Sequence, residues 1–235
     1  MITGFTKSAL LACGFVLLLW VIELLDRATG AGLFRLGVFP HHVQGLPGIL
    51  FAPLIHGSWY HLLSNSFALL ILLTTLDYGY PRSKWPALLL IWLGSGLGVW
   101  LFGRESYHFG ASGLTHGVMF FIFTSGILRR DRLSIALSLI VFFIYGGMIW
   151  SIFPQEADVS YESHFFGAAF GVLGAFLLRH RDPDPPQKHY DWEDQVSAQA
   201  DEHGPTDWQL RAARPRAGTP VSAERKTWSL CPGYC

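Results

Sequence analysis

Residues 133–152 read LSIALSLIVFFIYGGMIWSI, twenty residues without a charge. A helix rises about 1.5 Å per residue and the hydrocarbon core of a bilayer is about 30 Å thick, so a run of this length and character reads as one membrane crossing. Five further apolar runs accompany it, at residues 8–25, 59–76, 85–102, 112–128 and 164–178. All six are apolar on every side and lack the alternating polarity of a transmembrane β-barrel strand. The runs at 112–128 and 164–178 are short by themselves and need flanking residues to complete a crossing.

The composition agrees. Only 14% of the 235 residues are charged, against about 25% in a soluble domain. Half of the charged residues and 7 of the 13 prolines lie beyond residue 178. What remains in the first 178 residues is too little to cover a water-soluble surface. The expectation is an all-α polytopic membrane protein. Residues 1–180 form a six-helix bundle, and residues 181–235 form a polar C-terminal tail without a stable fold. Zero net charge argues against nucleic acid as a partner, because phosphates call for a basic excess. Three cysteines are too few for a disulfide scaffold, and Cys231 and Cys235 lack the further ligands that a metal site needs. Lys7 and Leu10-Leu11-Ala12-Cys13 superficially resemble a lipoprotein leader. The greasy stretch follows the cysteine instead of preceding it, so the first run reads as a retained helix.

Lysine and arginine set the orientation. Six crossings put both termini on one side, with Lys7, Arg82, Lys84, Arg129, Arg130, Arg132, Arg179 and Arg181. Arg27, Arg35 and Arg104 fall on the other side, whose last loop carries Glu156 and Asp158. Both termini are therefore expected in the cytoplasm. The long outer segment 26–58 is too apolar for a free loop and is expected in the interface or the outer leaflet, with Arg35 on headgroups. Short loops, and the lack of a soluble domain ahead of the first run, point to a bacterial inner membrane.

Polar groups inside such runs are costly and mark function by default. They cluster in three places: His56, His61 and Asn65 at the start of the second run, Ser112 and His116 at the start of the fourth, and His164 at the start of the sixth. These three runs all descend from the outer side, so the polar groups share one depth. His61 and Asn65 are four apart and project from one helix face. Gly113 and Gly117 make a small face on the fourth run, and Gly167, Gly171 and Gly174 make one on the sixth. Small faces let two helix backbones approach closely, which would bring Ser112 and His164 together at the top of the seam. A serine hydroxyl needs a base, and a nearby imidazole supplies one near neutral pH. No carboxylate in these runs sits at that depth, so the expectation is a Ser–His dyad, with His61, Asn65 and the Ser112 amide as oxyanion donors. Hydrolysis there requires a water-filled cavity open to the outer side.

These motifs resemble those of the rhomboid family of intramembrane serine proteases: His56-x4-His61-x3-Asn65, Gly110-x-Ser112-Gly113 and His164-x2-Gly167-x3-Gly171, in that order. The resemblance covers about residues 30–180. It implies a rhomboid-like bundle with Ser112 as nucleophile and His164 as general base. His61, Asn65 and the Ser112 amide would form the oxyanion hole, and His56 would have a structural role. It also implies transmembrane proteins as substrates and no metal or other cofactor. Two positions depart from the family pattern. His116 stands where an aromatic residue, often tyrosine, stacks under the base, and Phe34-Arg35 replaces a Trp-Arg pair in the outer loop. Two rival classes remain. One is a rhomboid-like binding protein without turnover, against which the presence of both Ser112 and His164 argues. The other is a proton-relaying transporter, which would carry polar groups through the full helix depth, whereas the lower halves of the second and sixth runs are apolar.

Overall fold

The computed structural model describes residues 4–154 and 159–183. Glu156, Asp158, the tail from residue 184 onward and Cys231 and Cys235 lie outside the described residues. The chain folds as α1 (Gly4–Thr29), α2 (Gly48–Phe51), α3 (Trp59–Gly79), α4 (Lys84–Phe102), α5 (Ser112–Arg129), α6 (Arg132–Tyr145) and α7 (Tyr161–Leu178). Among the described residues there is no strand beyond one antiparallel bridge, Val38 to His108. Six of these helices fall on the six apolar runs of the sequence, and α2 is a single turn in the long segment between α1 and α3.

Five crossings meet the length and apolarity that a bilayer demands: α1, α3, α4, α7 and the stretch Arg132–Ile152. The sixth helix, α5, does not, and packing explains why. It is buried at eleven positions, from Gly113 to Gly126, by its neighbours α3, α4, α6 and α7. A helix enclosed by other helices needs no lipid-facing apolar coat, so α5 tolerates Ser112, Thr115, His116 and Ser125.

Glycine sets the closest contact. A Cβ on Gly167 would run into the carbonyl of Gly113, and one on Gly171 into the carbonyl of Gly117. Helices α5 and α7 therefore meet backbone to backbone along the small faces seen in the sequence. Helix α4 completes the junction, with Ile91 against Gly117 and Ser95 against Gly113. Gly174, the third member of the sequence pattern, has only ordinary van der Waals room from Phe121 and Leu90.

The segment between α1 and α3 is not a free loop. Three short 3-10 turns and α2 fold it onto α4 and onto the strap 103–111 that leads into α5. Trp92 Nε1 donates to the Leu50 carbonyl (3.1 Å), Trp100 Nε1 to the His42 carbonyl (2.9 Å) and the Gly110 amide to the Ala52 carbonyl (2.8 Å). Arg35 lies over the Phe34 ring. At the opposite end of the bundle, Asp182 accepts the Arg82 and Ser83 amides, and Arg129 pairs with Asp131 and reaches the Asp182 carbonyl. The chain just after α7 is thus tied to both loops at that end.

The run 133–152 is not one continuous helix. Helix α6 stops at Tyr145, and Gly146–Ile152 continues as a 3-10 turn. Gly146-Gly147 weakens the α-helix there, because glycine loses the most backbone entropy in a helix.

The glycine contact makes a testable demand on stability. Gly171→Val places branched atoms against the Gly117 backbone, which has no side chain to move aside. Overpacking of this kind costs about 1–3 kcal/mol, so the melting temperature in detergent is expected to fall by about 5 °C. Gly14→Ala is the control: a Cβ there meets nothing within 4 Å, and alanine improves helix propensity, so its melting temperature should match or exceed the wild type.

Candidate active site

The N-terminal ends of α3, α5 and α7 surround a cavity of about 710 Å³. His61, Asn65, Ser112, His116 and His164 all line it. Five side chains separated by as many as 103 positions therefore open into one space. His56 does not line it. It is buried behind, with its ring edge-on to His61 at a centroid distance of 5.1 Å.

Each helix start delivers its residue by local rules. Ser58 caps α3, accepting the His61 amide (3.1 Å), which places His61 in the first turn. Asn65, one turn on, donates one amide hydrogen to the His61 carbonyl (3.1 Å), leaving its second for the cavity. Ser112 opens α5. The first helical bond at that end runs from the Thr115 amide to the Ala111 carbonyl (3.0 Å), so the Ser112, Gly113 and Leu114 amides precede the hydrogen-bond ladder. Gly110, two residues before, has φ +119, and a Cβ on it would lie 2.5 Å from His61 Cε1. Only glycine lets the strap pass beneath the His61 ring at that angle. Ser160 caps α7 by accepting the Ser163 amide (3.3 Å), and His164 follows in the first turn.

His164 is held from behind. Its Nδ1 is 2.9 Å from the backbone carbonyl of Ser151. A carbonyl only accepts, so Nδ1 carries the proton and Nε2 keeps a free lone pair. The His116 ring stacks against His164 at a centroid distance of 4.0 Å and an interplanar angle of 9°. His116 therefore occupies the stacked position that the sequence pattern assigned to an aromatic ring. Its own nitrogens are engaged elsewhere: Nδ1 is 2.7 Å from the Ser112 carbonyl and Nε2 is 2.8 Å from Ser151 Oγ. Among the described residues no hydrogen bond joins the Ser112 hydroxyl to His164. The two share the cavity without closing on each other.

Contrary to the expectation from the sequence, a carboxylate among the described residues does sit beside His164, in the first turn of α7, but it is engaged elsewhere. Glu162, two residues before His164, pairs with Arg104 (3.4 Å) and lies 4.0 Å from His108. His108 in turn bonds Ser160 Oγ (2.7 Å). This cluster ties the strap 103–111 to the start of α7. Ser151 is the residue that the sequence did not single out. Its only sequence signal was its place just after Gly146-Gly147, where a continuous apolar run hides a helix break.

A family match accords with this geometry: the Rhomboid domain matches residues 44–181. Uncharacterized proteins of Mycobacterium tuberculosis and Mycobacterium bovis are each 40% identical over 175 residues, covering 70% of this chain and 72% of theirs. One of Mycobacterium leprae is 34% identical over 175 residues, covering 70% of this chain and 68% of its own. The chain belongs to the rhomboid family.

Outside the helices, two imidazoles report on burial. Burial, reinforced by the charge of His61, pushes the His56 pKa from the ordinary 6.5 down to about 3, against the pull of the Leu54 carbonyl. Burial also lowers that of His108, with the Arg104 carbonyl and Glu162 opposing. An unfolded chain binds protons at these positions near pH 6.5, whereas the folded chain does not. Their contribution to stability is therefore intact above about pH 6.5 and is lost as the pH falls toward the folded values. The melting temperature is expected to drop between pH 7.5 and pH 5. His56→Gln, which cannot titrate, should flatten that slope, and an unchanged slope would show that His56 is not the group responsible.

Proposed function

From membership of the rhomboid family, we propose that this protein is an intramembrane serine endopeptidase that cuts peptide bonds in or near transmembrane segments of other membrane proteins. One observation supports it most: Ser112, His164, His61 and Asn65 open into a single cavity, and the Nδ1 of His164 is already committed to the Ser151 carbonyl. Nε2 is then the nitrogen able to act as base.

The reaction follows from those groups. Substrate in the cavity brings the Ser112 hydroxyl within reach of His164, since such bonds are often open until substrate binds. Ser112 Oγ attacks the scissile carbonyl carbon while its proton passes to His164 Nε2. The carbonyl oxygen becomes an anion facing the Ser112 amide, the free Asn65 amide hydrogen and the His61 ring. The positive end of α5 adds to that stabilisation. Collapse of the tetrahedral species expels the amine, which takes the proton from Nε2 and leaves an acyl group on Ser112. A water molecule, deprotonated by the same nitrogen, then hydrolyses the acyl group and restores the serine. His56 supports the His61 ring, and His116 provides the stacked surface beneath the base. Gly110, Gly113, Gly167 and Gly171 give the clearance that the geometry needs.

In this proposal the cavity faces the outer side of a bacterial inner membrane and both termini lie in the cytoplasm. No nucleic acid, metal or cofactor takes part.

The test combines labelling and cleavage. Wild-type protein should react with a fluorophosphonate probe and cut a co-expressed model transmembrane substrate. Ser112→Ala should abolish both, and His164→Ala should lower cleavage by about 10⁴-fold or more. Asn65→Ala should cost about 10²–10³-fold. His116→Tyr should keep activity, because a tyrosine ring can stack in the same place. Equal cleavage by wild type and Ser112→Ala would refute the proposal.

A further inference from the structure

We infer that Ser151 is a positioning residue that holds both stacked imidazoles at once, its carbonyl setting the base and its hydroxyl setting the ring beneath. This inference rests on the protease reading of the cavity.

The two halves come from one residue of the 3-10 turn Gly146–Ile152. The carbonyl of Ser151 accepts from His164 Nδ1 at 2.9 Å. The last bond of the turn runs from the Phe153 amide to the Trp150 carbonyl, so the Ser151 carbonyl lies past the ladder and is open to a side-chain donor. In a serine protease with a triad, a carboxylate orients the base and selects its tautomer. Here a neutral backbone dipole performs that orientation.

The hydroxyl half follows from proton counting. His116 Nδ1 lies 2.7 Å from the Ser112 carbonyl and must donate to it. With one proton on the ring, Nε2 is an acceptor, and Ser151 Oγ at 2.8 Å is the donor that meets it. The Met148 carbonyl, itself 3.3 Å from Nε2 but only an acceptor, competes for the same hydroxyl hydrogen at 2.8 Å, as the i−3 acceptor of the turn. Donation to His116 satisfies both nitrogens of a buried ring, whereas donation to Met148 leaves Nε2 without a proton partner. Ser151 thus links the base, the stacked ring and, through His116, the carbonyl of the nucleophile's own residue. Displacement of the turn would disturb all three together.

A double-mutant cycle tests the hydroxyl. In full-length protein in detergent, Ser151→Ala should lower kcat for a transmembrane substrate by about 10- to 100-fold, the scale of a small misplacement of reacting groups. KM should stay within about twofold. Ser151→Thr keeps a hydroxyl and should recover most of kcat. His116→Phe keeps the stacking ring without its nitrogens, and in that background Ser151→Ala should cost nothing further. A wild-type kcat in Ser151→Ala, an equal loss in Ser151→Thr, or an undiminished loss in the His116→Phe background would each overturn the inference. The carbonyl is tested by ¹⁵N spectroscopy of His164, assigned by its absence in His164→Gln. A protonated Nδ1 with a bare Nε2 supports the inference, and the opposite tautomer overturns it. Wild-type protein that neither cleaves nor labels would instead remove the protease reading, a result separate from any of these.

Discussion

Everything at the cavity depends on two backbones touching. In lipid there is no hydrophobic force to press helices together, so association falls to van der Waals contact and hydrogen bonds, and both grow with close approach. Gly113 and Gly117 on α5 meet Gly167 and Gly171 on α7 with no side chain between them. That contact starts one residue after Ser112 and three after His164. Two groups at the ends of separate helices are thereby held in register by atoms that cannot rotate away. Ile91 and Ser95 of α4 close the third side of the junction.

The site then faces a problem peculiar to its setting. The proposed mechanism needs an oriented base, yet a carboxylate in a low-dielectric interior carries a desolvation penalty that only good pairing offsets. Among the described residues the carboxylate nearest His164, Glu162, is buried behind the cavity lining, where Arg104 pairs with it and His108 lies 4.0 Å away. His164, the base of the proposed mechanism, instead donates to the carbonyl of Ser151. A break in a crossing helix provides that carbonyl, because the end of a 3-10 turn leaves acceptors that no amide of the turn can reach. Irregular backbone at this position lines a cavity, the one place where a membrane domain tolerates it. His116 fits the same economy. It stacks as a ring and bonds through both nitrogens, which a phenylalanine cannot do.

Much of this was legible beforehand. The six apolar runs mark the six long helices, and the pattern of small residues marks the faces on which α5 and α7 meet. The shared depth of His61, Asn65, Ser112 and His164 followed from counting crossings, and the cavity gathers all four. Helix periodicity and bilayer thickness are local constraints, so they leave marks that a linear reading can detect. The fold of 30–58 was legible only as something other than a free loop, since its bonds to Trp92, Trp100 and Gly110 join positions with no common period.

The sequence by itself determined that the chain is a helical membrane protein, which helix faces are small enough to touch, and which ionisable groups share one level. Composition and spacing carry that information because each follows from the solvent and from 3.6 residues per turn. Only the tertiary structure decided that α5 is enclosed, that α6 gives way to a 3-10 turn at Gly146, and that Ser151 stands behind two imidazoles from other helices. A backbone carbonyl has no residue type of its own, so nothing in the order of side chains announces where it will point. Its role exists only once three segments have been packed around it.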